Sequence, residues 1–193
     1  MKITNTLMAM IAIAVMGFST SAMASGGGAH LKHAEIDVSS QEQLRRGLTV
    51  FTEVCMGCHS AKYMTYRGLM AYPELGLTRE EVDELRGDKS LMSGMISDLS
   101  PEDATSSYGK YPPDLSLIVP GRRGGANYVY SLMTGFEHDP AGKIPDGNYN
   151  PIYPGGRIAM PDPLSWLGHD ASETEELEQQ AHDVAAFLSF IGD

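Results

Sequence analysis

The sequence predicts an all-α domain enlarged by long loops. Apolar residues recur at helical spacing near the start (Leu44, Leu48, Phe51, Cys55) and at the end (Leu177, Ala181, Val184, Leu188, Ile191). Helix-start signals precede both stripes, and others stand between them. The 21 glycines and 11 prolines imply long, irregular connections.

Composition sets the outer limits. A chain of 193 residues, 42% hydrophobic and 20% charged, can build one domain with a real core. Its net charge of −11 repels phosphate, which excludes nucleic acid as a partner and favours a cationic protein.

Residues 1–24 read as a secretory signal. Lys2 supplies the positive start, Leu7 to Phe18 is an apolar run too short to span a membrane comfortably, and Ala22-Met23-Ala24 is a small-x-small cleavage site. A retained N-terminal anchor is the other reading. Residues 25–38 form a Gly-rich arm expected to lie extended over the surface, with His30 and His33 solvated. The main domain is expected over 39–193.

The first helix is expected to start at Ser39 or Ser40, because Ser39 with Glu42 and Ser40 with Gln43 both have capping-box spacing. Gly47 beside its stripe costs about 1 kcal/mol relative to alanine, so close approach of another helix is expected there. The stripe leads into Cys55-Met56-Gly57-Cys58-His59. Thiols three apart share a helix face, so each can form a thioether with a haem vinyl group. The following imidazole then becomes an axial ligand to the iron. The same two cysteines, the only ones present, suit a redox disulfide or half a zinc site. Zinc would need two more ligands at matching spacing, and a thioredoxin-type site would need a βαβ setting. The export signal agrees with haem.

Ala61 to Tyr72, with Tyr63, Tyr66 and Arg67, reads as a pocket wall. Thr78 with Glu81 caps a short, mostly charged surface helix ending near Arg86, and Ser100-Pro101 starts another. Pro112 to Ser116 breaks the chain before Leu117-Ile118-Val119. Arg122 and Arg123 stand out in an acidic chain; one reading pairs an arginine with a haem propionate, and the other leaves both in solvent. A helix is expected from Ala126 to Thr134, with Gly135 as its C-cap.

Phe136 to Pro154 is rich in turn signals. In the loop Tyr153 to Pro161, Met160 offers a soft thioether sulfur suited to low-spin haem iron opposite histidine. It lies far enough from His59 in sequence to reach the other haem face, whereas Met56 and Met64 do not; Met133, within a helix, is the second choice. Trp166, the only tryptophan, precedes a last helix from Glu173 to Ile191, capped by Ser172 with Glu175. This helix is expected to cross the first at Gly47, with Phe187 or Phe190 beside Phe51. From Ile158 onward the chain has eight acidic residues and no lysine or arginine.

These residues resemble the cytochrome c1 family, the haem subunit of quinol–cytochrome c reductase (the cytochrome bc1 complex). The likeness is carried by Arg46-Gly47 through Ser60, Pro113 to Ser116, Arg123 to Gly135, Asn150 to Met160, and Asp183 to Leu188. The resemblance implies an all-α cytochrome c-type haem domain with one covalent haem c. It implies that Cys55 and Cys58 hold the haem, that His59 and Met160 ligate its iron, and that Arg122 lies near a propionate. It also implies cytochrome b as a neighbour, a Rieske iron–sulfur protein as electron donor and a cytochrome c as acceptor, on the periplasmic side of the bacterial inner membrane. The family's C-terminal transmembrane anchor is expected to be absent from this chain. A free periplasmic electron carrier and a CxxC disulfide oxidoreductase are the alternatives.

Overall fold

The computed structural model describes residues 30–139, 142, 147–165 and 171–193. The expected secretory signal, the first residues of the arm and Trp166 lie outside them, and the side chain of Ser172 is likewise outside the description. The described chain is mainly helical, as expected.

Helix α1 (Gln41–Val50) starts at the second of the two expected positions: Ser40 is the N-cap and accepts the Gln43 amide. The box is only half formed. The Gln43 side chain turns to the arm instead, accepting from the Asp37 amide at 2.7 Å and donating to the Glu35 carbonyl. The helix then widens into a π-turn over Phe51–Cys55, where the Met56 amide reaches the Phe51 carbonyl at 2.7 Å. The expectation of an unbroken α-helical stripe into the motif is corrected here. The extra residue re-aims Cys55 relative to the stripe, as π-bulges at functional sites do.

The last helix, α7 (Ala171–Ile191), packs across α1, starting two residues earlier than expected. The crossing is at Gly47. A Cβ there would collide with the Asp183 carbonyl and lie 2.7 Å from the Phe187 Cβ. Phe51 and Phe187 meet at 5.6 Å between ring centres. Leu44, Leu48, Ala181, Val184 and Phe187 are buried around them. Each large side chain so buried contributes about 1.5–3 kcal/mol. Beside the crossing, the Arg46 guanidinium forks onto the buried Asp183 carboxylate at 2.7 and 3.0 Å. Gln179 donates to the same carboxylate.

Two short ladders interrupt the helices and were not expected. Strand β1 (Ala61–Thr65) pairs antiparallel with β2 (Gly94–Met95), and β3 (Asn148–Tyr149) with β4 (Arg157–Ile158). Helix α2 (Tyr66–Ala71) follows β1, capped by Thr65. Helix α3 (Arg79–Arg86) carries the full Thr78–Glu81 capping box. It is not wholly a surface helix, because Val82 is fully buried and Glu81 pairs with Arg45 of α1. Helix α4 (Pro101–Tyr108) is capped by Ser100.

A single turn, α5 (Ile118–Gly121), precedes α6 (Gly125–Met133). Gly135 follows α6 without a left-handed conformation. It is needed for space instead: a Cβ there would lie 2.6 Å from the Ser131 carbonyl oxygen. The arm does lie over the domain. Its Lys32, Ala34 and Glu35 amides donate to the Ser131 hydroxyl, the Asn127 side chain and His182 Nδ1, across α6 and α7. His30 and His33 are exposed, as expected.

Candidate functional site

The site is built on the end of α1. After the π-turn the Cys58 and His59 amides both donate to the Cys55 carbonyl, at 3.1 and 2.8 Å. This tight turn brings both thiols and the imidazole together through adjacent backbone. Both cysteines are free thiols. Burial, reinforced by the neighbouring Cys58, pushes the Cys55 thiol up to about 12. A disulfide-exchange enzyme needs the opposite, a thiol lowered toward neutrality.

His59 is 9% exposed. Its Nδ1 lies 2.8 Å from the Pro113 carbonyl oxygen. A carbonyl only accepts, so Nδ1 carries the proton and Nε2 keeps its lone pair. Nε2 has no hydrogen-bond partner among the described residues. Burial lowers the imidazole's basicity, opposed by the Pro113 bond and the nearby Asp114, which favours the neutral ligand form. A buried neutral imidazole, oriented through one nitrogen and open at the other, beside two unoxidised thiols, is the donor set that a covalent haem requires.

Sequence reasoning read Pro113 to Ser116 only as a chain break and a point of family likeness. The structure makes it the brace of the motif. The Leu115 amide donates to the Ser60 carbonyl at 2.7 Å. Asp114 accepts from the Lys62 and Ser116 amides, and the Ser116 hydroxyl accepts from the Tyr63 amide. Ser97, also unforeseen, braces the other side: its hydroxyl donates to the Gly57 carbonyl at 3.1 Å and its amide to the Ser60 hydroxyl at 3.0 Å. Tyr108 ends α4 near Cys58, whose charge raises the phenol's pKa. No local pattern marks these partners, because each lies tens of residues away in sequence.

Met160 stands on a separate loop just beyond β4 and is half-buried. The loop is held at its root by Asn150, which is fully buried and donates from its side chain to the Leu132 carbonyl at 2.8 Å. Gly155 and Gly156 take left-handed φ values of 81° and 75°, which other residues rarely adopt. Met133, the second choice, lies at the end of α6 and packs against the core. Arg122 is exposed rather than buried, with its guanidinium 5.7 Å over the Tyr128 ring. It lines a groove of about 360 Å³ with Lys62, Tyr63, Asp114, Leu117 and Ile118.

The model of the Cytochrome C1 family matches residues 33–193. The mitochondrial "Cytochrome c1, heme protein" of Schizosaccharomyces pombe is 38% identical over 168 residues, 75% of this chain and 54% of the relative. The "Cytochrome b-c1 complex catalytic subunit, mitochondrial" of Candida albicans is 37% identical over 76% of this chain and 58% of its own length. "Cytochrome c1-2, heme protein, mitochondrial" of Solanum tuberosum is 35% identical over 91% of this chain and 78% of its own. The chain thus spans little more than half the length of the first two relatives. With a family match across nearly all of the described residues, and a paired-thiol and oriented-imidazole site at its centre, the chain belongs to the cytochrome c1 family.

Proposed function

We propose that this chain carries one covalent haem c and transfers electrons as the cytochrome c1 subunit of a cytochrome b-c1 complex. The observation that carries the reading is the His59 imidazole, fixed by the Pro113 carbonyl with Nε2 open beside two free thiols. When bound, the haem supplies a one-electron couple. Cys55 and Cys58 would hold it, and His59 and Met160 would bind its iron. Arg122, exposed on its groove, is the proposed partner of a haem propionate, which its guanidinium fork suits. The core packing of Met133 leaves Met160 the better candidate for the sixth ligand.

In this role the electron donor is a Rieske iron–sulfur protein, the acceptor a cytochrome c and the membrane neighbour cytochrome b. The relatives' names supply the complex, and the net charge of −11 supports a basic acceptor. The leader-like residues 1–24 support export, with the domain on the periplasmic side of a bacterial inner membrane. Among the described residues no helix is long and apolar enough to cross a membrane.

A pyridine haemochrome spectrum after denaturation and acid extraction tests the reading. The expected result is one haem per chain that stays with the polypeptide. Haem that extracts freely, or none, overturns it. Co-purification with cytochrome b and a Rieske protein separates the subunit role from that of a free carrier.

A further inference from the structure

Residues 97–113 form a lobe whose two ends are both fastened to the attachment motif. At the first end stands Ser97, only 6% exposed. Its hydroxyl donates to the Gly57 carbonyl at 3.1 Å and accepts the Leu99 amide at 3.1 Å, and its amide donates to the Ser60 hydroxyl at 3.0 Å. At the second end the Pro113 carbonyl accepts from His59 Nδ1 at 2.8 Å, and the Leu115 amide meets the Ser60 carbonyl at 2.7 Å. Between them α4 buries Ala104 completely. The lobe therefore bonds Gly57, His59 and Ser60.

We propose that Ser97 is a positioning residue for the His59 ligand, acting by locking the lobe to the attachment loop so that the Pro113 carbonyl stays on Nδ1. This rests on the haem-binding reading above and deepens it. Partners behind a metal-bound imidazole set its orientation and raise its electron donation. Ser97 does not touch His59. It holds the loop on which His59 sits and the lobe that supplies the acceptor. Losing its hydroxyl frees the Gly57 carbonyl and the Leu99 amide. The first end of the lobe then loosens and the Nδ1–H···O bond weakens. The imidazole becomes a poorer donor, ferric iron is less stabilised, and the reduction potential rises.

The experiment is a redox titration of the haem-loaded chain carrying Ser97→Ala. The expected result is a potential shifted positive, by about threefold in the reduction equilibrium constant, with haem content unchanged. Ser97→Thr, which keeps the hydroxyl, should return the potential toward the parent value. An unchanged potential in a haem-loaded Ser97→Ala chain overturns the proposal and leaves Ser97 a brace of the fold alone. If Ser97→Ala yields no haem-loaded protein, Ser60→Ala, which removes only the acceptor of the Ser97 amide, is titrated with the same two outcomes. Failure of the haem reading is separate, since it appears in the parent chain as absence of covalent haem.

Discussion

Replacing Gly47 by alanine tests the helix crossing on which the site is mounted. The new methyl would occupy the space of the Asp183 carbonyl oxygen and press on the Phe187 Cβ at 2.7 Å. Neither can swing aside as a flexible side-chain end would. The carbonyl belongs to the backbone of α7, and that helix is fastened to α1 by the Arg46–Asp183 fork and the Phe51–Phe187 contact. Overpacking of this kind costs about 1–3 kcal/mol, and this site belongs at the upper end. Alanine in place of glycine returns about 1 kcal/mol of helix propensity. The net expectation is a loss of about 1–2 kcal/mol, or a fall in Tm of about 2–8 °C for a domain of this size. Urea and thermal unfolding followed by circular dichroism measure it. Gly121→Ala is the control, because a Cβ there meets nothing within 4 Å; it should be neutral or slightly stabilising. A Gly47→Ala chain as stable as the parent would refute the close crossing.

Three further outcomes are expected. Met160→Leu keeps similar volume, so the fold and the haem should survive. The ferric far-red band should be lost, the potential should fall and ferrous carbon monoxide binding should appear, while Met133→Leu should change none of these spectra. Arg46→Ala leaves the buried Asp183 carboxylate with Gln179 as its remaining side-chain donor. Breaking a fully buried pair costs about 3–5 kcal/mol, but the Arg46 side chain is 43% exposed, so about 1–3 kcal/mol is expected in urea unfolding. Acid should loosen α3. Hydrogen bonds from Arg45 hold Glu81 below its usual 4.5, and those from Arg79 and Arg86 hold Asp83 below 3.8. The unfolded chain binds these protons at higher pH than the folded one. Their stabilisation is therefore complete above those ordinary values and is lost as pH falls through the lowered ones, read as a falling urea midpoint that is less steep in Glu81→Gln.

The helix starts at Thr78 and Ser100, the first start to within one residue of Ser40, the haem motif and the crossing at Gly47 were all legible in the sequence. Caps act over three residues, the motif occupies five, and a glycine on an apolar helix face has few reasons to be there other than contact. What the sequence left open depends on residues far apart in the chain. The π-turn at Phe51–Cys55 follows no residue pattern that separates it from α-helix. The strands β2, β3 and β4 are two residues long, too short to show a period of two. Gly135 looked like a left-handed helix C-cap and is instead a spacer against the Ser131 carbonyl. The acceptor for His59 is a backbone carbonyl 54 residues away, and the Ser97 bond to Gly57 spans 40. Every residue but proline carries the same backbone donor and acceptor, so their partners leave no mark on side-chain identity. The sequence alone therefore singled out which groups to propose as haem-binding, and only the tertiary structure decided which nitrogen of His59 pairs with the Pro113 carbonyl.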